Sequence, residues 1–213
     1  MAADARPRAR AERRERASAD TRARILEAAR ACLLADGYAS LSTRRVAETA
    51  DVPLSQIHYY FGSKQELILA VLAAENERLL ARQATMYAGN EPLWRQWERA
   101  CEFLEVDLAS GYVRILQEMI AAGWSDATLA ASVREQVMAW FLLLTDVARR
   151  EERRTGSLGP FTPEEVAALM GLPFMGAEAA ILLGIRESEV PTRAALRKVG
   201  LVLRDMGTGP QGD

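Results

Sequence analysis

From Ile25 to Met206 the apolar residues recur three and four positions apart, and the segments they mark open and close on helix signals. Ile25, Ala28, Ala29, Cys32 and Leu33 follow a cap at Asp20 or Thr21 and stop at Gly37. A short helix follows Ser42, with Val46, Ala47 and Ala50 on its inner side. The turn Ala50-Asp51-Val52-Pro53 leads to a third helix from about Leu54 to Tyr60, closed at Gly62. Ser63 and Glu66 form a capping-box sequence, opening a long helix striped by Leu67, Ile68, Val71, Leu72, Leu79 and Leu80. Further helices open at Pro92, Tyr112, near Ala130, at Thr162 and after Pro191. No period-two run is bounded by turns, and no segment repeats. The spacing predicts an all-α chain of about nine helices.

A chain of 213 residues can hold one large or two small domains with a real core. Residues 1–20 contain no aromatic or large aliphatic side chain beyond Met1, so they are read as a mobile Arg-rich tail, with helix conceivable near its end. Residues 21–65 make a small three-helix domain, and 66–213 a larger helical one. Charge divides the same way. Residues 1–64 carry 12 Arg and Lys against 8 Asp and Glu, whereas the remainder carries 15 against 21. A basic end on an acidic body suggests that one end faces nucleic acid and the other has a separate task.

Several function classes lose support. The longest apolar run, Met138 to Thr145, is under half of the roughly 18 residues of a membrane span, so no membrane partner is expected. The Arg-rich start has no apolar stretch behind it, unlike a secretory signal, and two free thiols suit the cytoplasm. One histidine, His58, and the distant Cys32 and Cys101 make no metal site. With no Gly-rich phosphate loop and no Cys-His or paired-carboxylate motif, no catalytic set and no cofactor are expected.

The second and third helices with their tight turn are a helix-turn-helix candidate. Such a unit needs an apolar inner face and a polar, small or aromatic outer face on the helix that enters the major groove. In 54–61, Ile57 and Phe61 point in, leaving Ser55, Gln56, His58 and Tyr59 to point out. Residues 21–67, ending Tyr-Tyr-Phe-Gly-Ser-Lys-Gln-Glu-Leu, resemble the DNA-binding domain of the tetracycline-repressor (TetR) family of bacterial transcriptional regulators. Asp51 stands where that family often has Gly, Pro53 replaces a Ser cap, and His58 replaces a common Tyr.

The resemblance implies a homodimeric regulator, a repressor released from a pseudo-palindromic double-stranded DNA operator by a small-molecule ligand. It implies phosphate contacts from Thr43 and Lys64, backbone or sugar contacts from Tyr59 and Tyr60, and base-edge contacts from Arg44, Ser55, Gln56 and His58. Tyr60 can equally brace the core, His58 can sit idle at the surface, and the tail can be solvated or reach a minor groove. In the body, Trp94, Trp97, Cys101, Tyr112, Leu116, Met119 and Trp140 are candidates for a ligand cavity, or simply for core. Glu102, Glu105 and Glu118 beside these stripes make a cationic ligand conceivable. Both cysteines suit buried small hydrophobes as well as redox sensors. Phe174, Ala177, Ile181, Leu196, Val199 and Leu203, among small residues on the last two helices, suit a dimer interface or packing within one protomer. A helical protein–protein adaptor without DNA binding is the alternative.

Overall fold

The computed structural model describes residues 5–206, and all of its regular elements are helices. They are α1 (Ala5–Ser40), α2 (Thr43–Ala50), α3 (Leu54–Phe61), α4 (Lys64–Met86), α5 (Leu93–Ser110), α6 (Tyr112–Gly123), α7 (Ala127–Thr155), α8 (Pro163–Leu182) and α9 (Thr192–Met206). The chain divides into two compact units, Met1–Ala74 and Glu75–Asp213, with the boundary inside α4.

In the first unit the expected apolar stripe is the core: Ile25, Ala29, Leu33, Val46, Ile57, Leu67, Ile68 and Leu72 are almost fully buried. Helix α1 breaks where the glycine signal placed its end, at Gly37 (φ 75°, ψ 168°). Its start differs from expectation. The segment read as a mobile tail is helix from Ala5 onward, continuous with the core-facing part of α1. Ala, Arg and Glu are strong helix formers, and Glu12 stands four positions from both Arg8 and Arg16. Residues 10–20 remain exposed, as a stretch without apolar side chains must.

The second unit packs α5 against α9 and α7 against α8. Trp97 is fully buried at its centre, with its indole N–H donating to the Leu196 carbonyl at 2.9 Å and its ring edge-on to Phe174 at 4.9 Å. Gly200 lets α9 approach this indole, because a Cβ there would lie 3.1 Å from Trp97 Cδ1. Thr162 and Glu165 close a full capping box on α8, whereas the one anticipated at Ser63 is half made. Ser63 Oγ accepts from the Glu66 amide at 3.1 Å, but the Ser63 amide donates to the Phe61 carbonyl in the turn. Helices α7 and α8 also contain 18-residue windows of mean hydropathy 1.2 and 1.5, long and apolar enough to cross a membrane, which the count of unbroken apolar residues did not reveal. They pack on each other, with Gly171 of α8 giving room to Phe141 of α7.

Candidate nucleic-acid interface and ligand cavity

The geometry of α2 and α3 begins with their caps. Ser42 Oγ accepts from the Arg45 amide at 3.2 Å and opens α2. Asp51 closes it in the left-handed region (φ 51°, ψ 55°), while Val52 donates back to the Ala47 carbonyl at 3.0 Å. Asp tolerates this backbone better than most non-glycine residues, so the departure from Gly leaves the turn intact. Pro53 then starts α3 with its φ already fixed at −58°. Ile57 and Phe61 face the core, and Ser55, His58 and Tyr59 lie exposed on α3, with Tyr59 at 81% exposure.

The remaining candidates divide into free and tethered. Arg44 is exposed, while Thr43 and Gln56 are half-buried. His58 Nδ1 lies 3.0 Å from the Gly62 carbonyl, so one ring nitrogen closes α3 and the other is left to solvent. Tyr60 is half-buried, with its hydroxyl 3.0 Å from Ser18 Oγ of α1. Lys64 is also half-buried, and its ammonium donates to the Ala39 carbonyl at 3.3 Å over the Tyr38 ring. These two side chains brace the unit before they can touch anything else. Arg45 pairs with Asp36 at 2.7 Å.

The second unit encloses a cavity of about 30 Å³ between α4, α5, α6, α7 and α8. Tyr112, Leu116 and Trp140 line it, as three of the seven cavity candidates. Trp97, Cys101 and Met119 are core, and Trp94 is half-buried with Arg95 stacked over it at 4.8 Å, so these four lie outside the lining. Sequence reasoning missed the polar wall. Tyr112 donates to Asn76 Oδ1 at 3.2 Å, Asn76 Nδ2 to Gln136 Oε1 at 2.9 Å, and the Trp140 indole to Gln83 Oε1 at 2.7 Å. Two carboxylates reach the cavity, Asp107 and Glu178, neither of which was singled out. Burial raises both above their ordinary values, Glu178 to about 7. Burial likewise raises the Tyr112 and Tyr87 phenols well above their ordinary values. The anticipated acids lie elsewhere: Glu102 and Glu105 are exposed, Glu105 on Arg193 at 2.5 Å, and Glu118 pairs with Arg114 at 2.9 Å. A polar helical position beside an apolar stripe is visible in sequence, but which of several such positions turns inward depends on neighbouring helices.

Residues 25–71 match the sequence model for bacterial regulatory proteins of the tetR family. Over those residues the chain is similar to the TetR family. It is 39% identical over 71 residues to the HTH-type transcriptional repressor KstR of Rhodococcus jostii, a match covering 33% of each chain. The KstR of Mycolicibacterium smegmatis is 38% identical over 72 residues, 33% of this chain and 35% of that one. The chain thus spans about a third of the length of the curated relatives it matches. Its fold extends the likeness. A TetR transcription regulator from Haloarcula marismortui superposes with a TM-score of 0.72 at 20% identity, over 88% of this chain and 97% of that one. A TetR-family regulator from Agrobacterium tumefaciens gives 0.70 at 19% identity, over 88% and 98%.

The dimer candidates turn inward within the protomer. Phe174, Ala177, Leu196 and Leu203 are buried inside the protomer, and Ile181 and Val199 are half-buried against the same core. Inward packing on Trp97 and α7 uses these residues, so they leave little for a partner. The outward apolar residues of α8, its C-terminal cap and α9 include others: Leu172, Leu183, Leu201 and Val202, from 49% to 80% exposed.

Proposed function

We propose that this chain is a TetR-family DNA-binding transcriptional regulator that acts as a homodimeric repressor in the cytoplasm. Two copies of α3 enter successive major grooves of a pseudo-palindromic double-stranded operator, and a small molecule in the second unit's cavity releases them. The observation that carries this reading is the split of α3. Ile57 and Phe61 are held in the core while Ser55, His58 and Tyr59 stand outward behind a capped, tight turn. Arg44, Ser55, Gln56 and His58 are assigned to base edges, and Thr43 at the start of α2 to a phosphate. Tyr59 reaches backbone or sugar. Lys64 offers a phosphate the N–H donors that Ala39 leaves free, and Tyr60 orients α3 through Ser18.

Outward Leu172, Leu183, Leu201 and Val202 are assigned to the contact between copies. Release requires that the ligand bind the DNA-incompetent arrangement more tightly, by ~1–3 kcal/mol or more. The reading requires no catalytic step and no cofactor.

Selection from a random duplex pool by the full chain near physiological salt tests the proposal. An enriched inverted repeat with half-sites about 34–36 Å apart is the expected outcome. Gln56→Ala then changes base preference, whereas Thr43→Ala weakens all sequences alike. A folded chain that enriches nothing, before and after refolding away bound ligand, overturns the reading in favour of a protein–protein adaptor.

A further inference from the structure

The two carboxylates of the cavity have different partners. Asp107 is buried and its charge is met by Arg82, whose guanidinium donates to it and also lies over the Phe103 ring at 5.6 Å. Glu178 has no such counterpart. Its Oε2 accepts from the neutral Gln117 amide at 3.3 Å, and the same amide nitrogen also donates to the Met175 carbonyl. Among the described residues no salt bridge reaches Glu178.

Among the described residues, those lining the cavity include no Lys or Arg. On α4, Glu75 pairs with Arg78 and Arg82 is held by Asp107. On α6, Tyr112 is a neutral phenol and Glu118 pairs with Arg114. The α7 residues that line the cavity, Gln136, Val137 and Trp140, carry no charge. Ionised Glu178 therefore leaves the cavity one negative charge in excess. An uncompensated carboxylate in such surroundings is costly and is relieved by a proton or by a cation. Burial, reinforced by Asp107, keeps the proton available near neutral pH, with Glu178 at about 7.

We propose that the cavity takes an organic monocation, with an ammonium or amidinium head against Glu178 and an apolar or aromatic body against Tyr112, Trp140 and Phe174. The inference rests on reading the cavity as the effector site. Aromatic faces near a desolvated ammonium add attraction, and the same charge excess repels carboxylates and phosphates. Without ligand, the cavity of about 30 Å³ has room for about one water, so the cation must part its walls. Met175, unbranched and at the lining, is suited to give way.

Phenethylammonium, 2-phenylethanol and phenylacetate are close in size and differ in charge. Calorimetric titration of the full chain with each, near pH 6 and pH 8, tests the proposal. Phenethylammonium is expected to bind at least tenfold more tightly than the other two at the higher pH. Its affinity should fall severalfold, up to roughly tenfold, at the lower pH as Glu178 takes up a proton. Glu178→Gln should bring the ammonium down to the level of the alcohol, whereas Glu105→Gln, outside the cavity, should leave it unchanged. Should Glu178→Gln not fold, Trp140→Leu must weaken the ammonium more than the alcohol. Preference for phenylacetate, or ammonium affinity unchanged in Glu178→Gln, overturns the proposal. If 2-phenylethanol binds and the ammonium does not, the effector site stands and its cation assignment falls. If none binds, both fall.

Discussion

Glu178 carries a consequence for the empty protein as well as for a ligand. Its carboxyl titrates near 7 in the folded chain against an ordinary value of 4.5. Between those values the folded chain holds a proton that the unfolded chain has released. The stabilising contribution is therefore full below 4.5 and is lost as pH rises towards 7. Urea denaturation of the wild type and Glu178→Gln should show this directly. The wild type's advantage should shrink by on the order of 2 kcal/mol between about pH 5 and pH 8. A constant difference would place the carboxyl in water. Cys101 makes an opposite kind of prediction. Burial pushes its thiol up to about 11, so it should react with thiol reagents far more slowly than a free cysteine near pH 8. Fast, stoichiometric labelling of Cys101 in the folded chain would restore the redox-sensor reading.

At the scale of elements, the glycines of α8 separate two jobs that their spacing alone ran together. A Cβ on Gly171 would lie 2.5 Å from the Phe141 ring, whereas one on Gly176 would meet nothing within 4 Å. Gly171→Ala should therefore cost about 1–3 kcal/mol through overpacking, less the propensity gain of roughly 1 kcal/mol that Gly176→Ala receives without a clash. Thermal midpoints that move together in the two variants would show that Phe141 yields freely. This ambiguity marks the limit of what periodicity tells. Ile57, Phe61 and Leu67 could be assigned to the core because a three-helix unit has one inside. Gly37, Gly62 and Thr162 mark helix ends through local backbone chemistry that needs no partner. Phe174 and Leu203 belong to helices where an apolar face can meet its own protomer or another, and a stripe carries no label for which. Glu178 and Asp107 were illegible for the same reason. Their inward turn is fixed by α4, α6 and α7, not by their own helices. In α1 the error ran the other way: absence of apolar residues excluded burial, but not helix, since Ala, Arg and Glu sustain one through local terms.

At the scale of the whole molecule, the basic first 64 residues and the acidic remainder require that the proposed DNA affinity come from a minority of the surface. One such head makes few phosphate contacts, and each contributes a slope of only about −0.9 to the dependence of log affinity on log salt. Two heads held together double that slope and confine binding to sites with matched half-sites. The assembly therefore decides whether the proposed repressor can be both tight and selective. Its contact can be attacked without disturbing the protomer's core, because Leu172 and Leu201 are exposed while Phe174 and Leu203 beside them are buried. Leu172→Glu combined with Leu201→Glu places like charges on that outer surface in both copies. Sedimentation should then show a monomer with unchanged helix content, and the salt slope on the selected inverted repeat should fall by about half. Phe174→Ala, in contrast, should unfold the second unit or loosen it, at a cost of about 3–5 kcal/mol. If the double Glu variant stays dimeric and keeps its full salt slope, the two copies meet through another surface, and the outward leucines of α8 and α9 need a different partner.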